Sequence, residues 1–170
     1  MVLETEQLLI RPFRREDLKA YATIVADPDV MKFLGGPQTV AEAEVYLDEM
    51  MNLNAASGLG RYAVELKSSA ALIGFCGFRP VGDYIDFGYR YAKSVWGQGI
   101  GLEAARAVRT YGLDTLNMKN MEAGAAVENQ ASIRILEKMG FRYREELTFD
   151  GSRSIRFRDK RMFERIGLGD

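Results

Sequence analysis

The sequence contains no histidine and a single cysteine, Cys76, among its 170 residues. Without histidine there can be no Ser-His-Asp or Cys-His catalytic arrangement, no histidine-ligated metal and no histidine general base. A lone cysteine also excludes an internal disulfide framework and a cysteine-rich zinc site. A general base in this protein would have to be a carboxylate, or the reaction would proceed without a strong base.

The sequence also lacks net charge, since 23 Lys and Arg balance 24 Asp and Glu to give −1. No basic field is therefore available to hold nucleic acid regardless of its sequence. The apolar run near the N-terminus, residues 8–10, is only three residues long. No stretch approaches the ~18 residues that span a membrane. We expect a cytoplasmic protein with no nucleic-acid or membrane partner.

The overall amino-acid composition is that of an ordinary globular protein. Hydrophobic residues make up 47% and charged residues 28%, close to the average of soluble proteins. No low-complexity segment, linker or internal repeat divides the sequence. A chain of 170 residues suits one domain with a sizeable core, so we expect a single domain over residues 1–170.

The spacing of apolar residues predicts a mixed α/β chain with the element order β-α-α-β-β-β-α-β-α-β-β. The predicted strands span residues 8–11, 61–67, 71–78, 84–91, 120–127, 141–149 and 155–163. The predicted helices span residues 15–25, 40–54, 101–113 and 131–139. The three strands between residues 61 and 91 are expected to form an antiparallel meander, and Asp150-Gly151 predicts a hairpin turn.

Local signals mark several helix ends. Pro28, flanked by two aspartates, is expected to break the first helix. Thr39 and Glu42 have the spacing of a capping box, in which each side chain accepts from the other residue's backbone N–H. Gly140 is expected to end the last helix in a left-handed conformation.

The most informative stretch is Trp96-Gly97-Gln98-Gly99-Ile100-Gly101, which follows a predicted strand and opens a predicted helix. Its glycines allow a sharp turn and let an anion approach the backbone N–H groups at the positive end of the helix dipole. The turn lacks the Gly-Lys-Ser/Thr ending of a P-loop and the spacing of the dinucleotide fingerprint. Taken alone, it leaves open a phosphate site and a plain strand-to-helix turn.

A second motif comes about 30 residues later, where Asn129-Gln130-Ala131-Ser132 opens a helix that Gly140-Phe141 closes. With the glycine turn, it resembles the Gcn5-related N-acetyltransferase (GNAT) superfamily, and within it the branch of ribosomal-protein N-terminal acetyltransferases and their relatives. The resemblance extends over residues 3 to 163. It also rests on Leu9-Ile10-Arg11-Pro12, Glu16-Asp17-Leu18, Leu72-Ile73-Gly74 with Gly77, and Asp86-Phe87-Gly88-Tyr89.

The resemblance implies the GNAT fold and acetyl-CoA as the cofactor. In that fold a central, mostly antiparallel sheet is splayed between its fourth and fifth strands and carries helices on both faces. Backbone N–H groups of the glycine turn would hold the pyrophosphate, and the fourth strand would pair with pantetheine as if the cofactor were a further strand. The implied cofactor-binding residues are Gly88, Tyr89, Arg90, Tyr91, Gln98, Gly99, Ile100, Gly101, Leu102, Asn129 and Ser132.

The resemblance also implies direct acetyl transfer to an amine, with Ser132 and Asp86 as the catalytic candidates. Ser132 matches the position near the thioester sulfur, where it would act as the general acid. Asp86 matches a position where many relatives carry the longer Glu. Without the family, Ser132 could simply cap its own helix, and Asp86 could be a solvated strand residue.

The acceptor is less defined. Residues 33–60 contain no Lys or Arg, while Glu42, Glu44, Asp48 and Glu49 lie there; an acidic wall would favour a cationic amine, although a solvated helix face has the same composition. Arg90 could be a cation of the acceptor site or a surface residue. Cys76 is expected to be inert core. Arginines at the C-terminal end could meet an acidic partner or alternate along the last strand.

Two other classes of protein fit the sequence. One is a non-catalytic acyl-CoA-binding sensor or interaction module, which would need the glycine turn but neither Asp86 nor Ser132. The other is a phosphate-binding α/β protein unrelated to acetyl transfer, which would bind nucleotides without pantetheine equally well. The acetyltransferase could be a monomer or a homodimer, and the sequence favours neither.

Overall fold

The computed structural model describes residues 2–149 and 152–160 and has a mixed α/β fold. The strands are β1 Leu3–Glu4, β2 Leu8–Arg11, β3 Gly60–Leu66, β4 Ala71–Val81, β5 Tyr84–Tyr91, β6 Met121–Ala126, β7 Phe141–Phe149 and β8 Ser152–Asp159. The α-helices are α1 Leu18–Val25, α2 Pro28–Met31, α3 Val40–Ser57, α4 Ile100–Thr110 and α5 Gln130–Lys138. Short 3-10 turns lie at Arg15–Asp17 and Lys93–Val95, and a π turn at Tyr111–Thr115 continues α4.

The strands of the described residues form an eight-stranded sheet in the order β1-β2-β3-β4-β5-β6-β8-β7. The pairs β1–β2, β2–β3, β3–β4, β6–β8 and β7–β8 are antiparallel, and β5–β6 is parallel. The mostly antiparallel sheet expected from the sequence is therefore confirmed. The described helices are too short or too polar to cross a membrane, and no metal-binding group of His, Cys, Asp or Glu occurs among the described residues.

The first helix ends at Val25 as predicted, but two short elements near the N-terminus were not predicted. The short strand β1 had no strand signal of its own and exists because it pairs with β2. Pro28 does not simply break the first helix; it opens α2, whose N-cap is Asp27 with a side chain that accepts from the Asp29 N–H at 2.8 Å. A proline in the first helical turn has no N–H to lose, so it can start a helix as readily as it ends one.

Other helix ends follow the sequence closely. The capping box of Thr39 and Glu42 is confirmed, and Gly58 ends α3 with a left-handed φ of 71°, a few residues beyond the predicted end. Gly140 follows α5 with a φ of 90° as predicted. The last strand starts at Ser152 rather than residue 155, because β8 pairs with β7 along its whole length. The predicted turn at Asp150-Gly151 and residues 161–163 lie outside the described residues.

Contacts divide the chain into two units, and unit 1 comprises residues 2–78 and 89–108. Its apolar core brings α1 and α3 onto β3 and β4 through residues such as Tyr21, Val25, Leu47, Met50 and Phe75. Beside this core Arg11 is buried and donates to both Asp17 oxygens, at 2.8 and 2.9 Å, and to Glu65 at 2.8 Å. The hydrogen bond to Asp17 is the main cause of a raised Arg11 pKa, which more than offsets the lowering effect of burial.

Unit 2 comprises the described residues among 79–88 and 109–160. It contains the first part of β5 together with β6, β8, β7 and α5. Its apolar side buries Ile133 and Leu136 of α5 and Phe157 of β8, and the ring of Phe87 lies 5.6 Å from that of Phe141. Asp159 is fully buried and accepts two bonds from Arg109.

Candidate functional site

The glycine turn between β5 and α4 has two glycines in the left-handed conformation. Gly97 and Gly99 have φ values of 74° and 79°, and a Cβ built on either would meet no atom within 4 Å. The first backbone bond of α4 runs from the Glu103 N–H to the Gly99 carbonyl at 3.0 Å. Among the described residues, the N–H groups of residues 98–102 therefore have no backbone acceptor, and they lie at the positive end of a helix dipole.

The other groups of the turn are occupied within unit 1. A Cβ on Gly101 would lie 2.9 Å from the Tyr91 ring, so this glycine is required for packing. The Tyr91 hydroxyl donates to the Gly101 carbonyl at 3.2 Å, and the Trp96 indole donates to the Tyr91 carbonyl at 3.0 Å. Gln98 donates to the Ser94 carbonyl at 2.7 Å. The Tyr91 carbonyl thus already has a side-chain donor within unit 1.

Glu103 ties the N-terminal segment to the start of α4. Its carboxylate accepts from the Thr5 hydroxyl at 2.5 Å and from the Gln7 backbone and side chain at 3.0 and 2.8 Å. Burial by itself would raise the Glu103 pKa, but these hydrogen bonds outweigh it and the pKa is lowered. An open cleft of about 370 Å³ lies here, lined by Thr5, Glu6, Gly99, Leu102, Glu103 and Arg106. The described contacts give Glu103 a structural role.

Strand β5 separates from β6 after two residue pairs. The parallel register joins Ile85 to Met121 and Asp86 to Glu122 and goes no further, while β6 continues to pair with β8 as far as Ala126. Among the described residues, the parallel register with β6 consists of these two pairs. This matches the splay that the resemblance places between the fourth and fifth strands, because β5 and β6 are those strands here.

Asp86 lines a small pocket of unit 2 that also contains a second carboxylate. The pocket measures about 140 Å³ and is lined by Tyr84, Asp86, Glu122, Ala123, Gly124, Leu147, Ser154, Ile155 and Arg156. Asp86 and Glu122 are opposite each other in the parallel register, so their side chains leave the same face of the sheet. Sequence reasoning missed Glu122, for which the only signal was an acid in a strand of otherwise small and apolar residues.

Glu122 is held by arginines of the neighbouring strands and is only 1% exposed. Its Oε1 accepts from Arg158, at 3.1 and 2.7 Å, and from Arg144. Its Oε2 is buried without a hydrogen-bond partner, and the nearest cation is the Arg156 Nε at 3.7 Å. The arginines of β8 thus pair with acids of unit 2: Arg156 and Arg158 with the buried Glu122, and Arg153 with Glu146. They do not simply alternate outward along the strand.

The start of α5 explains the spacing of the late motif. Asn129 is the N-cap, and its Oδ1 accepts from the Ser132 N–H at 3.2 Å. The N-cap residue of α5 is therefore Asn129 rather than Ser132. With Oδ1 used by the cap, the Asn129 Nδ2 group is the part of the side chain that can donate to a ligand.

Two other expectations can be compared with the structure. Cys76 is fully buried, and burial raises the pKa of its thiol to about 12, which confirms inert core. Several acids between residues 33 and 60 have partners at the surface: Glu42 lies in the capping box, and Glu44 and Asp48 form exposed ion pairs with Arg15 at 3.2 and 2.8 Å. Arg15 thus offsets one unit of the negative charge that α3 could offer to a cationic acceptor.

The family model of the acetyltransferase (GNAT) domain matches residues 7–142 of this sequence. The chain belongs to the GNAT acetyltransferase family. The match includes the glycine turn, Asp86, Asn129 and Ser132, and it confirms the family that these motifs predicted. The expected enzyme class, an N-acetyltransferase, is confirmed with it.

Individual relatives agree with this assignment. The chain is 29% identical over 144 residues to the uncharacterized N-acetyltransferase p20 of Bacillus licheniformis, which covers 82% of this GNAT chain and 81% of that protein. An acetyltransferase (GNAT family) structure from Bacillus anthracis is similar with a TM-score of 0.82 at 23% identity, over 93% of this chain and 97% of that one. A RimL ribosomal L7/L12 α-N-protein acetyltransferase in complex with coenzyme A has a TM-score of 0.79 at 17% identity, over 93% and 97%. At such identities the structural likeness shows the fold.

Proposed function

We propose that this protein is an acetyl-CoA-dependent N-acetyltransferase that moves an acetyl group directly to a primary amine, either of a small molecule or of a protein or peptide N-terminus. The observation that carries the proposal is the glycine turn, whose five N–H groups at residues 98–102 lack backbone acceptors in a chain of the GNAT family. We further propose that residues 1–170 act as one acetyltransferase domain.

The described residues fit the cofactor where the fit can be tested. The open space at Gly97 and Gly99 leaves room for a bulky anion against the backbone, and the N–H groups of Gln98, Gly99, Ile100, Gly101 and Leu102 would hold its pyrophosphate. Strand β5 at Gly88, Tyr89, Arg90 and Tyr91 would hydrogen-bond the pantetheine amides through its backbone. The Asn129 Nδ2 would donate to the same arm. Bound acetyl-CoA would supply the acetyl group as a thioester.

The chain's own residues then have distinct tasks. The Ser132 hydroxyl would donate a proton or a hydrogen bond to the departing sulfur. Asp86 would accept the proton of the amine through water, because its side chain is one methylene shorter than the Glu of many relatives. An α-amine titrates near ~7.7–8 and a lysine amine near ~10.4. A carboxylate would therefore activate an α-amine with less difficulty at neutral pH.

The proposal is tested by following free thiol released from acetyl-CoA by the purified protein, against a panel of small amines and N-terminal peptides. We expect thiol release that depends on the acceptor, with the acetylated product confirmed by mass. Thermal shifts with CoA, dephospho-CoA and ADP accompany it, since a specific ligand stabilises the fold by mass action. Equal stabilisation by ADP and CoA, with no thiol release, would indicate a phosphate-binding protein instead.

Replacing Ser132 by alanine should lower kcat more than it raises the KM for acetyl-CoA. The hydroxyl is proposed to act on the departing sulfur, and general acid catalysis typically contributes ~100-fold or more. The helix should be unaffected, because its cap is the Asn129 side chain. Steady-state kinetics at saturating acetyl-CoA would measure the change. An unchanged kcat in a variant whose chemical step limits turnover would remove Ser132 from catalysis.

A further inference from the structure

The side chain of Arg90 is an incompletely satisfied cation in the aromatic part of unit 1. Its guanidinium lies 5.3 Å from the centroid of the Phe75 ring, and its Nη1 donates a long hydrogen bond of 3.4 Å to the Tyr21 hydroxyl. Its Nε is buried and has no hydrogen-bond partner. The residue as a whole remains partly exposed, so the guanidinium is neither fully solvated nor fully paired.

Arg11 shows how the same unit satisfies a structural arginine. The Arg11 guanidinium is fully enclosed and donates to two carboxylates, Asp17 and Glu65. Arg90 has no carboxylate within ion-pair distance among the described residues. Removing a guanidinium from water without an anionic partner costs free energy, which a cation–π contact offsets only in part.

The groups around Arg90 cannot supply the missing negative charge. Tyr21 is fully buried, stacks on Tyr46 with ring centroids 5.7 Å apart, and has a raised pKa, mainly because of burial. It therefore stays a neutral phenol at any ordinary pH. The guanidinium of a second arginine, Arg61, lies 6.0 Å from the centroid of the Phe75 ring. Neutral aromatic rings and two cations together make a site that favours an anion.

We propose that the Arg90 side chain binds a carboxylate of the acetyl acceptor, so that the preferred acceptors are amines that also carry a carboxylate group. The planar guanidinium of this partly exposed arginine can offer two parallel N–H groups to a carboxylate, and the buried Tyr21 hydroxyl accepts from its Nη1. This role is separate from the backbone of Arg90, which is proposed to contact pantetheine. The part of this proposal that makes the ligand an acetyl acceptor rests on the proposed acetyltransferase function. The carboxylate-binding site itself does not depend on that function.

Binding of a carboxylate can be measured without any acetyl transfer. The probes are N-acetyl amino acids and the corresponding N-acetyl amino acid carboxamides, titrated by calorimetry and by NMR of the arginine Nε–Hε signals, with the Arg90 signal assigned from its loss in Arg90→Lys. We expect the carboxylates to bind and to shift that signal, and the carboxamides to do so about ten- to a hundredfold more weakly, as for hydrogen bonds to a charged group.

The variants separate recognition from folding. Arg90→Met, which keeps the apolar stem, should lose about ten- to a hundredfold in affinity for the carboxylate probes, and Arg90→Lys should lose less. Arg14→Met is the matched control, because Arg14 is exposed and its side chain lies outside this cluster; it should bind like the wild type. Equal binding of carboxylates and carboxamides by the wild type would overturn the proposal, whether or not Arg90→Met folds.

Acetyl transfer to free amino acids and to their carboxamides completes the test. We expect kcat/KM to favour the carboxylate member of each pair about ten- to a hundredfold in the wild type, and the preference to vanish in Arg90→Met. Specific carboxylate binding with no transfer to any acceptor would contradict the proposed function and leave the carboxylate site standing. Acetyl transfer without a preference for carboxylates would contradict the carboxylate site and leave the proposed acetyltransferase function standing.

Discussion

Gly99→Asp should abolish the binding of coenzyme A while the protein stays folded. The substitution puts a negative side chain into the open space in front of the N–H groups of residues 98–102. Two unit charges 4 Å apart repel by about 4 kcal/mol at an effective dielectric constant of about 20. Since ~1.4 kcal/mol is a tenfold change, calorimetry should register a loss of about a thousandfold in affinity.

Two variants separate charge from backbone strain in this experiment. Gly99→Ala introduces a Cβ at the same left-handed φ of 79° but no charge, so it should cost about 1 kcal/mol of stability and little affinity. Gly97→Asp adds the same charge at a φ of 74°, also in open space, but two residues further from the helix. Equal affinity losses for Gly97→Asp and Gly99→Asp would argue for a general charge effect, and unchanged affinity in a folded Gly99→Asp would contradict the pyrophosphate site.

The fold was largely predictable because most of its elements carry local signals. The strand β5 occupies the predicted residues 84–91, since alternating apolar residues suit a half-buried strand. The capping box at Thr39 and the glycine after α5 were readable from a few residues. The short helix α2 was missed because Pro28 is compatible with both a break and a first helical turn, and the flanking sequence does not distinguish them.

The candidate site was predictable only where it is built from contiguous residues. The glycine turn and the Asn129–Ser132 motif are local, so their chemistry could be anticipated from spacing. The burial of Glu122 could not be predicted, because its arginine partners lie on strands far away in sequence. The same holds for the Arg90 Nε, whose lack of a hydrogen-bond partner depends on how distant elements pack around it. From the sequence alone, a single acid or arginine in a strand is predicted to be solvent-exposed. Only its neighbours across the sheet show that it is buried.

Tyr91 illustrates how packing changes the meaning of a motif. The resemblance assigns both Gly99 and Gly101 to the cofactor, yet Gly101 is required first by the Tyr91 ring, which lies where a Cβ would project. Gly99 has no such neighbour. The left-handed φ of 79° is a backbone reason for glycine at position 99. Gly101→Ala should therefore destabilise the protein through a clash with the Tyr91 ring, whereas Gly99→Ala should cost about 1 kcal/mol through backbone strain alone.

Glu122→Gln should destabilise the protein by about 3 kcal/mol. The carboxylate is 1% exposed and balances Arg144, Arg156 and Arg158, whose side chains are 35%, 28% and 19% exposed. Removing one partner of a buried ion pair leaves uncompensated charge, at a cost of about 3–5 kcal/mol. The lower end applies because the arginines keep some contact with water. For a chain of this size, the melting temperature should fall by about 10 °C.

Glu146→Gln is the matched control for Glu122. Glu146 lies on β7 and accepts from Arg153 at 2.5 Å, but the two side chains are 39% and 59% exposed. Water can replace either partner of such a pair, so its loss should hardly change the melting temperature. Similar effects of the two substitutions would mean that Glu122 is solvated in solution. A large effect at Glu122 alone would identify it as the charge that holds β6, β7 and β8 together beside Asp86, where a rigid sheet is needed to position the proposed base.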